Sequence, residues 1–393
     1  MRNGLRLGKI LGIEVRVDWS WLFIFFLVTW NLAMVFGQRH ADWGLAVTWG
    51  TALAASLLFF ASVLAHEMAH SLVARSRGMP VHNITLFLFG GVSNIQREPT
   101  SPQSEFLMAI VGPLTSIVLG YFFLILAHTT ISPWQVSSAE IETMIGRLSP
   151  LSTLLLWLGP VNILVGLFNL LPGFPLDGGR ILRSLLWAVT GNLRKATRWA
   201  AGAGQALAGL MIFLGFAMVF GVWLPIFGSG SIGGLWFVFI GWFLYSASTQ
   251  SYQQVVIRDI LQGVPVSRMM RTEPPQVSPN ITIDELVGDY IMRADDYAFP
   301  VLDGDELVGL VTLEDVRKVS RDEWPSTRVA EIMTPGAELV VVAPANDAAE
   351  ALNLLSQRDV RQLPVVQDGR LVGLLRRRDM MKWLQLHSEF GTD

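Results

Sequence analysis

Residues 59–78 read FFASVLAHEMAHSLVARSRG. From Phe59 to Val73 the run has the composition of a membrane helix, yet its middle carries His66, Glu67 and His70. Ionisable side chains are expensive in hydrocarbon and persist there mainly where they serve a site. On a helix His66 and His70 stand four apart and share a face, so both can grip one metal ion. Glu67, beside His66, can reach a metal-bound water as a general base. The plainer reading is a pair of helix-buried histidines bonded to neighbouring carbonyls. Two facts weigh against it: the whole chain holds only 6 His, and three ionisable groups without a shared purpose are hard to keep in an apolar span.

The rest of the chain fits a membrane setting. Of 393 residues 51% are hydrophobic and 16% charged, with 14 Trp and 22 Phe, and the charges are sparse up to about Tyr252 and dense after it. An apolar block is therefore followed by a soluble one, two or three domains in all. A net charge of −3 gives no electrostatic case for nucleic acid. The absence of Cys excludes disulfides and thiolate metal ligands. Apolar segments at 18–37, 45–73, 105–127, 151–171, 199–223 and 233–252 each approach the ~20 residues that cross a bilayer. Basic residues before the first segment resemble a signal peptide, but no small-residue cleavage site follows, so the segment is expected to stay as the first span.

Orientation follows from Lys and Arg. Arg2, Arg6, Lys9 and Arg16 precede span 1. Arg75, Arg77 and Arg97 follow span 2; Arg180, Arg183, Arg194, Lys195 and Arg198 follow span 4; Arg258 follows span 6. The opposite loops hold only Arg39 and Arg147. Both termini are expected in the cytoplasm of a multi-pass cell-membrane protein. Between spans 2 and 3, VHNITLFLFGGVSNI (81–95) is rich in β-formers and contains Gly90 and Gly91. It predicts one or two strands at the cytoplasmic face, whose exposed edge could accept an extended peptide.

Two His do not complete a catalytic zinc site, which takes three protein ligands and leaves a position open for water. Span 4 ends in FNLLPGFPLDGGR (168–180), where Asp177 is the only acid, at the same membrane face as His66 and His70. Pro172, Pro175 and Gly178-Gly179 break the helix there, and such backbone is tolerated at membrane depth only where it lines protein or water. The simple alternative for Asp177 is a helix cap. His82, His40 and His128 are weaker ligand candidates. Nine residues separate His66 from Arg75, about 13 Å of helix, so the site is expected that far inside the cytoplasmic leaflet.

HEMAH followed by NLLPGFPLDGG resembles the site-2 protease family of intramembrane zinc metalloproteases. The family pattern falls on His66, Glu67 and His70, then on Asn169, Pro172, Pro175, Leu176, Asp177 and Gly178, with FGGV (89–92) and AIVGPLTS (109–116) as further elements. The resemblance covers roughly residues 1–250. It implies a fold of six transmembrane helices with a small membrane-associated β segment, and one Zn2+ per chain. It implies a transmembrane protein as substrate, cut within or near its spanning segment. It also implies that Asn169 helps position substrate or stabilise the transition state; chemistry alone allows a helix–helix hydrogen bond equally. The PDZ insertion of some relatives is missing, so any substrate filter lies elsewhere.

The soluble part contains a repeat. FPVLDGDELVGLVTLEDVRK (299–318) aligns with LPVVQDGRLVGLLRRRDMMK (363–382) at an offset of 64. This resembles a tandem pair of α/β CBS domains, and the expected division of the chain is 1–252, 258–320 and 326–387. Such pairs often bind adenine nucleotides through a G-x-x-[ST]-x-x-D pattern. The first unit matches it with Gly309, Thr312 and Asp315. The second keeps Gly373 and Asp379 but has Arg376 in place of Ser/Thr. Arg376 could meet a phosphate directly, or that half stays empty. The alternative is a structural pair that forms a homodimer or contacts the membrane domain. The rival to proteolysis is a CBS-regulated metal-ion transporter or channel using the His/Asp cluster as a metal site, which would not need Glu67.

Overall fold

The computed structural model describes residues 4–88, 90–95, 99–131, 148–224 and 230–389. It divides into two compact units, Met1–Gln253 and Gln254–Asp393. Arg2, Arg97 and Arg147, three of the Lys and Arg that set the orientation, and Phe89 of the FGGV element lie outside the described residues.

The first unit begins with a hairpin of β1 (Gly4–Ile10) and β2 (Ile13–Asp18), which the sequence reading had not anticipated. Its signals are nevertheless there. Ile13, Val15 and Val17 alternate with Glu14 and Arg16, the apolar three being 0–3% exposed. Leu11 and Gly12 both take positive φ, 50° and 79°, as a two-residue hairpin turn requires. Asp18 then caps helix α1 (Trp19–Arg39), its Oδ1 accepting from the Ser20 N–H at 2.9 Å.

Helix α2 (Leu45–Ser76) has 32 residues, about 48 Å at 1.5 Å each, longer than the ~30 Å hydrocarbon layer. Strands β3 (Val81–Phe87) and β4 (Gly90–Ile95) follow. The expected segment thus yields two strands, and they join the hairpin in a four-stranded sheet of order β1-β2-β3-β4. β2 and β3 run parallel, from Glu14 opposite Asn83 to Val17 opposite Leu86; β4 lies antiparallel at the edge. Ile13, Val15 and Ile84 pack on Met68, which fixes the sheet against α2 beside the HEMAH stretch.

Helices α3 (Pro102–Thr130) and α4 (Pro150–Asn169) cross closely because glycines face the crossing. A Cβ on Gly120 would lie 2.7 Å from the Gly159 carbonyl oxygen, and one on Gly166 would lie 2.9 Å from that of Pro113. Span 4 ends at Asn169, earlier than expected. Asp177 belongs to a separate short helix, α5 (Asp177–Thr190), reached through seven non-helical residues that hold Pro172 and Pro175. Leu176, not Asp177, is the cap residue, so the cap reading of Asp177 does not hold. Helix α6 (Leu193–Val219) and the part of α7 (Ser231–Leu261) up to Gln253 complete the unit.

Among the described residues six helices are long and apolar enough to span a bilayer: α1, α2, α3, α4, α6 and α7. Large apolar side chains such as Phe23, Phe122, Ile125 and Phe213 are exposed at their surfaces, which suits a solvent of lipid.

In the second unit β5 (Ala298–Asp303) and β6 (Glu306–Thr312) form a hairpin, and β8 (Gln362–Gln367) and β9 (Arg370–Arg376) form another. Strand β7 (Thr334–Pro335) pairs with β6. The sheet order is β5-β6-β9-β8. The hairpins repeat one register, bulge included: the shift at Val301/Leu302 recurs at Val365/Val366, again 64 residues on. Each hairpin has its own apolar cluster, one around Phe299, Val301 and Val311, the other around Leu363, Val365 and Leu375.

Candidate active site

Helix α2 presents His66 and His70 on one face, 6% and 4% exposed, and α5 brings Asp177 to them. His66 Nε2 lies 3.1 Å from Asp177 Oδ2, His70 Nε2 lies 3.1 Å from the same oxygen, and the two Nε2 atoms are 3.1 Å apart. Three ligands at ~2.0–2.1 Å on a tetrahedral zinc would stand about 3.3 Å from one another, so this near-equilateral triangle fits one ion. Among the described residues these three form the group of His and acidic side chains close enough to share a metal.

The remaining ring nitrogens are tied. His70 Nδ1 donates to the Met108 carbonyl at 2.6 Å. A carbonyl can only accept, so Nδ1 carries the proton and the Nε2 lone pair faces the triangle. His66 Nδ1 lies 2.9 Å from Ser116 Oγ. Both partners sit on α3, and Gly112 between them explains how α3 comes so near: a Cβ there would overlap His70 Nε2 and crowd His66 Nε2. The VGP stretch of α3 is thus a floor on which the two imidazoles rest.

Helix α5, which carries Asp177, is held to α3 by charge. Arg183 donates from Nε to Glu105 Oε1 at 2.6 Å and pairs with the same oxygen through Nη2. Arg183 also lies over the Phe174 ring, 5.2 Å from its centroid. Residues 183 and 105 are 6% and 0% exposed. Removing one partner of such a buried pair costs far more than the pair is worth intact, because the other charge stays buried alone.

Glu67 stands next to the triangle. Its Oε2 accepts from Ser93 Oγ of β4 at 2.8 Å, and Ser71 Oγ of α2 donates to Ser93 Oγ at 3.1 Å. Gly91 of β4 lies flat on the Glu67 side chain, where a Cβ would fall on its Cγ. Gly90 has a different requirement, a φ of 127° with open space around it. Asn169, the last residue of α4, donates Nδ2 to the Val165 carbonyl of its own helix at 3.0 Å, which is not the helix–helix bond that chemistry alone allowed beside the substrate role. His40 is occupied far from the triangle, bonded to Thr153 at 3.0 Å and stacked on Trp43. Neither His82 nor His128 joins the triangle.

In the second unit Thr312 and Asp315 cap one helix turn: Thr312 Oγ1 donates to Asp315 Oδ2 at 2.6 Å, and the Asp315 N–H returns to Thr312 Oγ1 at 3.2 Å. Lys318 Nζ sits 2.8 Å from Asp315 Oδ1. The second half differs. Arg376 grips Asp379 with two bonds, Nε to Oδ2 at 2.6 Å and Nη2 to Oδ1 at 2.8 Å. Its Nη1 reaches Asp296 Oδ1 of the first repeat at 2.6 Å, and Arg271 takes the other oxygen of Asp296 at 2.6 Å. Asp379 and then Asp296 raise the guanidinium pKa further above its ordinary value.

The structure groups His66, His70 and Asp177 as the sequence reading did, with Glu67 next to them. Gly112 and Ser116 lie in the AIVGPLTS element quoted from the sequence but were given no role there, and Ser71, Ser93 and the Glu105–Arg183 pair were not singled out.

Residues 54–214 match Peptidase family M50, and residues 266–322 and 329–386 each match the CBS domain. Rip3 of Mycobacterium tuberculosis, named as a zinc metalloprotease, is 33% identical over 98% of this chain and 94% of its own length. A second protein so named, sll0528 of Synechocystis, is 34% identical over 98% of this chain and 96% of its own. Among solved structures, a site-2 protease from Methanocaldococcus jannaschii is 29% identical over 64% of this chain and 95% of that one, with a TM-score of 0.40. Likeness to Rip3 and sll0528 runs through membrane unit and tail alike, at a level and coverage that leave one assignment: this chain belongs to peptidase family M50, the site-2 protease family of zinc metalloproteases, and carries a tandem CBS pair.

Proposed function

We propose that His66, His70 and Asp177 hold one zinc per chain and that Glu67 is the general base for hydrolysis of a peptide bond within or near a transmembrane segment of a membrane-protein substrate. The observation that carries this is the 3.1 Å triangle of donor atoms with a carboxylate beside it. A zinc held there supplies a Lewis acid and lowers the pKa of its water. The protein's own part is to orient and to move protons. Met108 and Ser116 fix the imidazoles. Glu67 takes the proton of the attacking water and can hand it on to the leaving amine. Asn169, Gly90 and Gly91 are proposed to line the substrate path. The metal-transporter reading gives no role to Glu67, and membership of a peptidase family does not favour it.

The test is direct. Glu67→Gln should abolish fragment production, a loss of 10²-fold or more, while bound zinc stays near one per chain by elemental analysis. His66→Ala should lose both zinc and cleavage. Wild-type cleavage by Glu67→Gln would overturn the mechanism.

Both termini are proposed to be cytoplasmic, from the bias of thirteen Lys and Arg against two. Reporter fusions after Arg198 and Asp393 should report cytoplasm and a fusion after Arg39 should not; the reverse pattern would move the site to the other face. The CBS pair, over 258–320 and 326–387, is proposed to regulate cleavage through an adenine nucleotide bound at Thr312 and Asp315.

A further inference from the structure

The hydroxyl groups along α2 turn back to carbonyls of the same chain segment, three or four residues earlier, and Ser71 departs from this. Thr51, Ser56 and Ser62 each turn back to the carbonyl four residues earlier, at 2.7, 2.9 and 2.9 Å. This is the ordinary way for Ser and Thr to satisfy themselves in an apolar helix. Ser71 is 0% exposed and could do the same with the Glu67 carbonyl. It reaches instead across to β4 and donates to Ser93 Oγ at 3.1 Å. Ser93 in turn points its own proton at Glu67 Oε2, 2.8 Å away, rather than at the Glu67 carbonyl at 3.3 Å. The result is a directed chain, Ser71 to Ser93 to Glu67, that begins and ends on one face of α2 and passes through a strand 22 residues further on.

We infer that Ser93 is a positioning residue for the Glu67 carboxylate, and that Ser71 aims it. The inference rests on Glu67 being the general base. A carboxylate with one oxygen tied to a hydroxyl has its other oxygen aimed, whereas an untied Glu side chain explores several rotamers. Gly91 closes the remaining freedom, since the strand backbone there lies against the Glu67 side chain. β4 is also the edge strand of its sheet. The strand with an edge open to an extended peptide therefore holds the base through its own side chain, so that peptide position and base position share one rigid element.

The experiment uses the full-length, zinc-loaded chain and a synthetic transmembrane peptide chosen because wild type cleaves it and Glu67→Gln does not. Ser93→Ala should lower kcat on the order of 10-fold, as outer partners of such sites do, with KM and zinc content unchanged. Ser93→Thr should recover most of the loss, and Ser71→Ala should show a smaller loss of the same kind. A second readout needs neither substrate nor metal. The infrared difference between metal-free wild type and Ser93→Ala should contain a carboxyl stretching change that vanishes when the pair is compared in a Glu67→Gln background. Wild-type kcat in Ser93→Ala, or no carboxyl change that depends on Glu67, overturns the inference. Equal activity of wild type and Glu67→Gln on every peptide would instead remove the reading of Glu67 on which it stands.

Discussion

Gly112 shows how much of the proposed metal centre can depend on a missing side chain. Within an α-helix, Gly→Ala ordinarily stabilises by about 0.8–1.0 kcal/mol through backbone propensity. At this position the added Cβ must displace His70 Nε2 and press on His66 Nε2, the two atoms proposed to face the zinc. The packing effect is the larger one for function, because a shift of a few tenths of an ångström spoils a ligand triangle while barely touching the helix. Gly112→Ala should therefore fold and insert normally yet bind zinc at least about 10-fold more weakly, in the range seen when ligand-orienting groups are lost. Zinc titration of the purified variant checks this, and wild-type affinity would show that the imidazoles have room to move. The sequence made HEMAH legible because helical periodicity alone brings positions four apart together. Gly112 and Ser116 stand in the AIVGPLTS element that the sequence offered, but their contact with the imidazoles was not legible, nor was that of the Met108 carbonyl. They meet the histidines from 38 to 50 residues away.

Elements differ in how openly the sequence announces them. The six spans were readable because lipid demands long apolar runs, but the helices overrun or fall short of those runs, most at the last, which continues to Leu261 rather than ending at 252. The hairpin β1–β2 was missed because its Arg6, Lys9 and Arg16 also read as the basic flank of a first span. The alternation Ile13, Val15, Val17 was the competing and correct signal. For Asp177 the breakers Pro172 and Pro175 were visible, but not that a new helix would begin at the acid itself. Strand β4 carries the prediction at this scale. If an unwound substrate adds to its edge, backbone N–H and C=O groups supply much of the grip. Val92 is 53% exposed and packs little, so a substitution there tests backbone more than core. Val92→Pro removes one N–H and should reduce cleavage while leaving zinc in place. Unchanged cleavage by a folded, zinc-replete Val92→Pro protein would count against strand addition at β4.

On the scale of the whole chain, the two units pose different problems for sequence reading. The repeat of 64 residues was legible because two copies of one hairpin keep both the apolar alternation and the turn. The cross-repeat charge network was not, since Asp296, which Arg271 of its own copy also holds, meets Arg376 only after both copies fold together. That network favours, of the two readings left open for Arg376, the one in which the second half stays empty. Its guanidinium is spent on Asp379 and Asp296, so the acid that would hold a ribose in the second half is already taken. Among the described residues the first half shows no such plug: there Asp315 is engaged by its own helix turn and by the exposed Lys318. Nucleotide binding, if it regulates cleavage, should therefore show one site per chain. Titration calorimetry of the full-length protein with ATP, ADP and AMP should give a stoichiometry near one, with Asp315→Ala weakening it. Arg376→Thr should free Asp379 and raise the stoichiometry toward two, at the cost of the clasp across the repeats. Ten-fold control of cleavage needs only ~1.4 kcal/mol of coupling, within the usual range for linked sites. Asp315→Ala should then blunt any effect of nucleotide on cleavage while leaving the nucleotide-free rate alone. No heat at millimolar nucleotide in either wild type or Arg376→Thr would remove nucleotide sensing and leave the CBS pair a purely structural module.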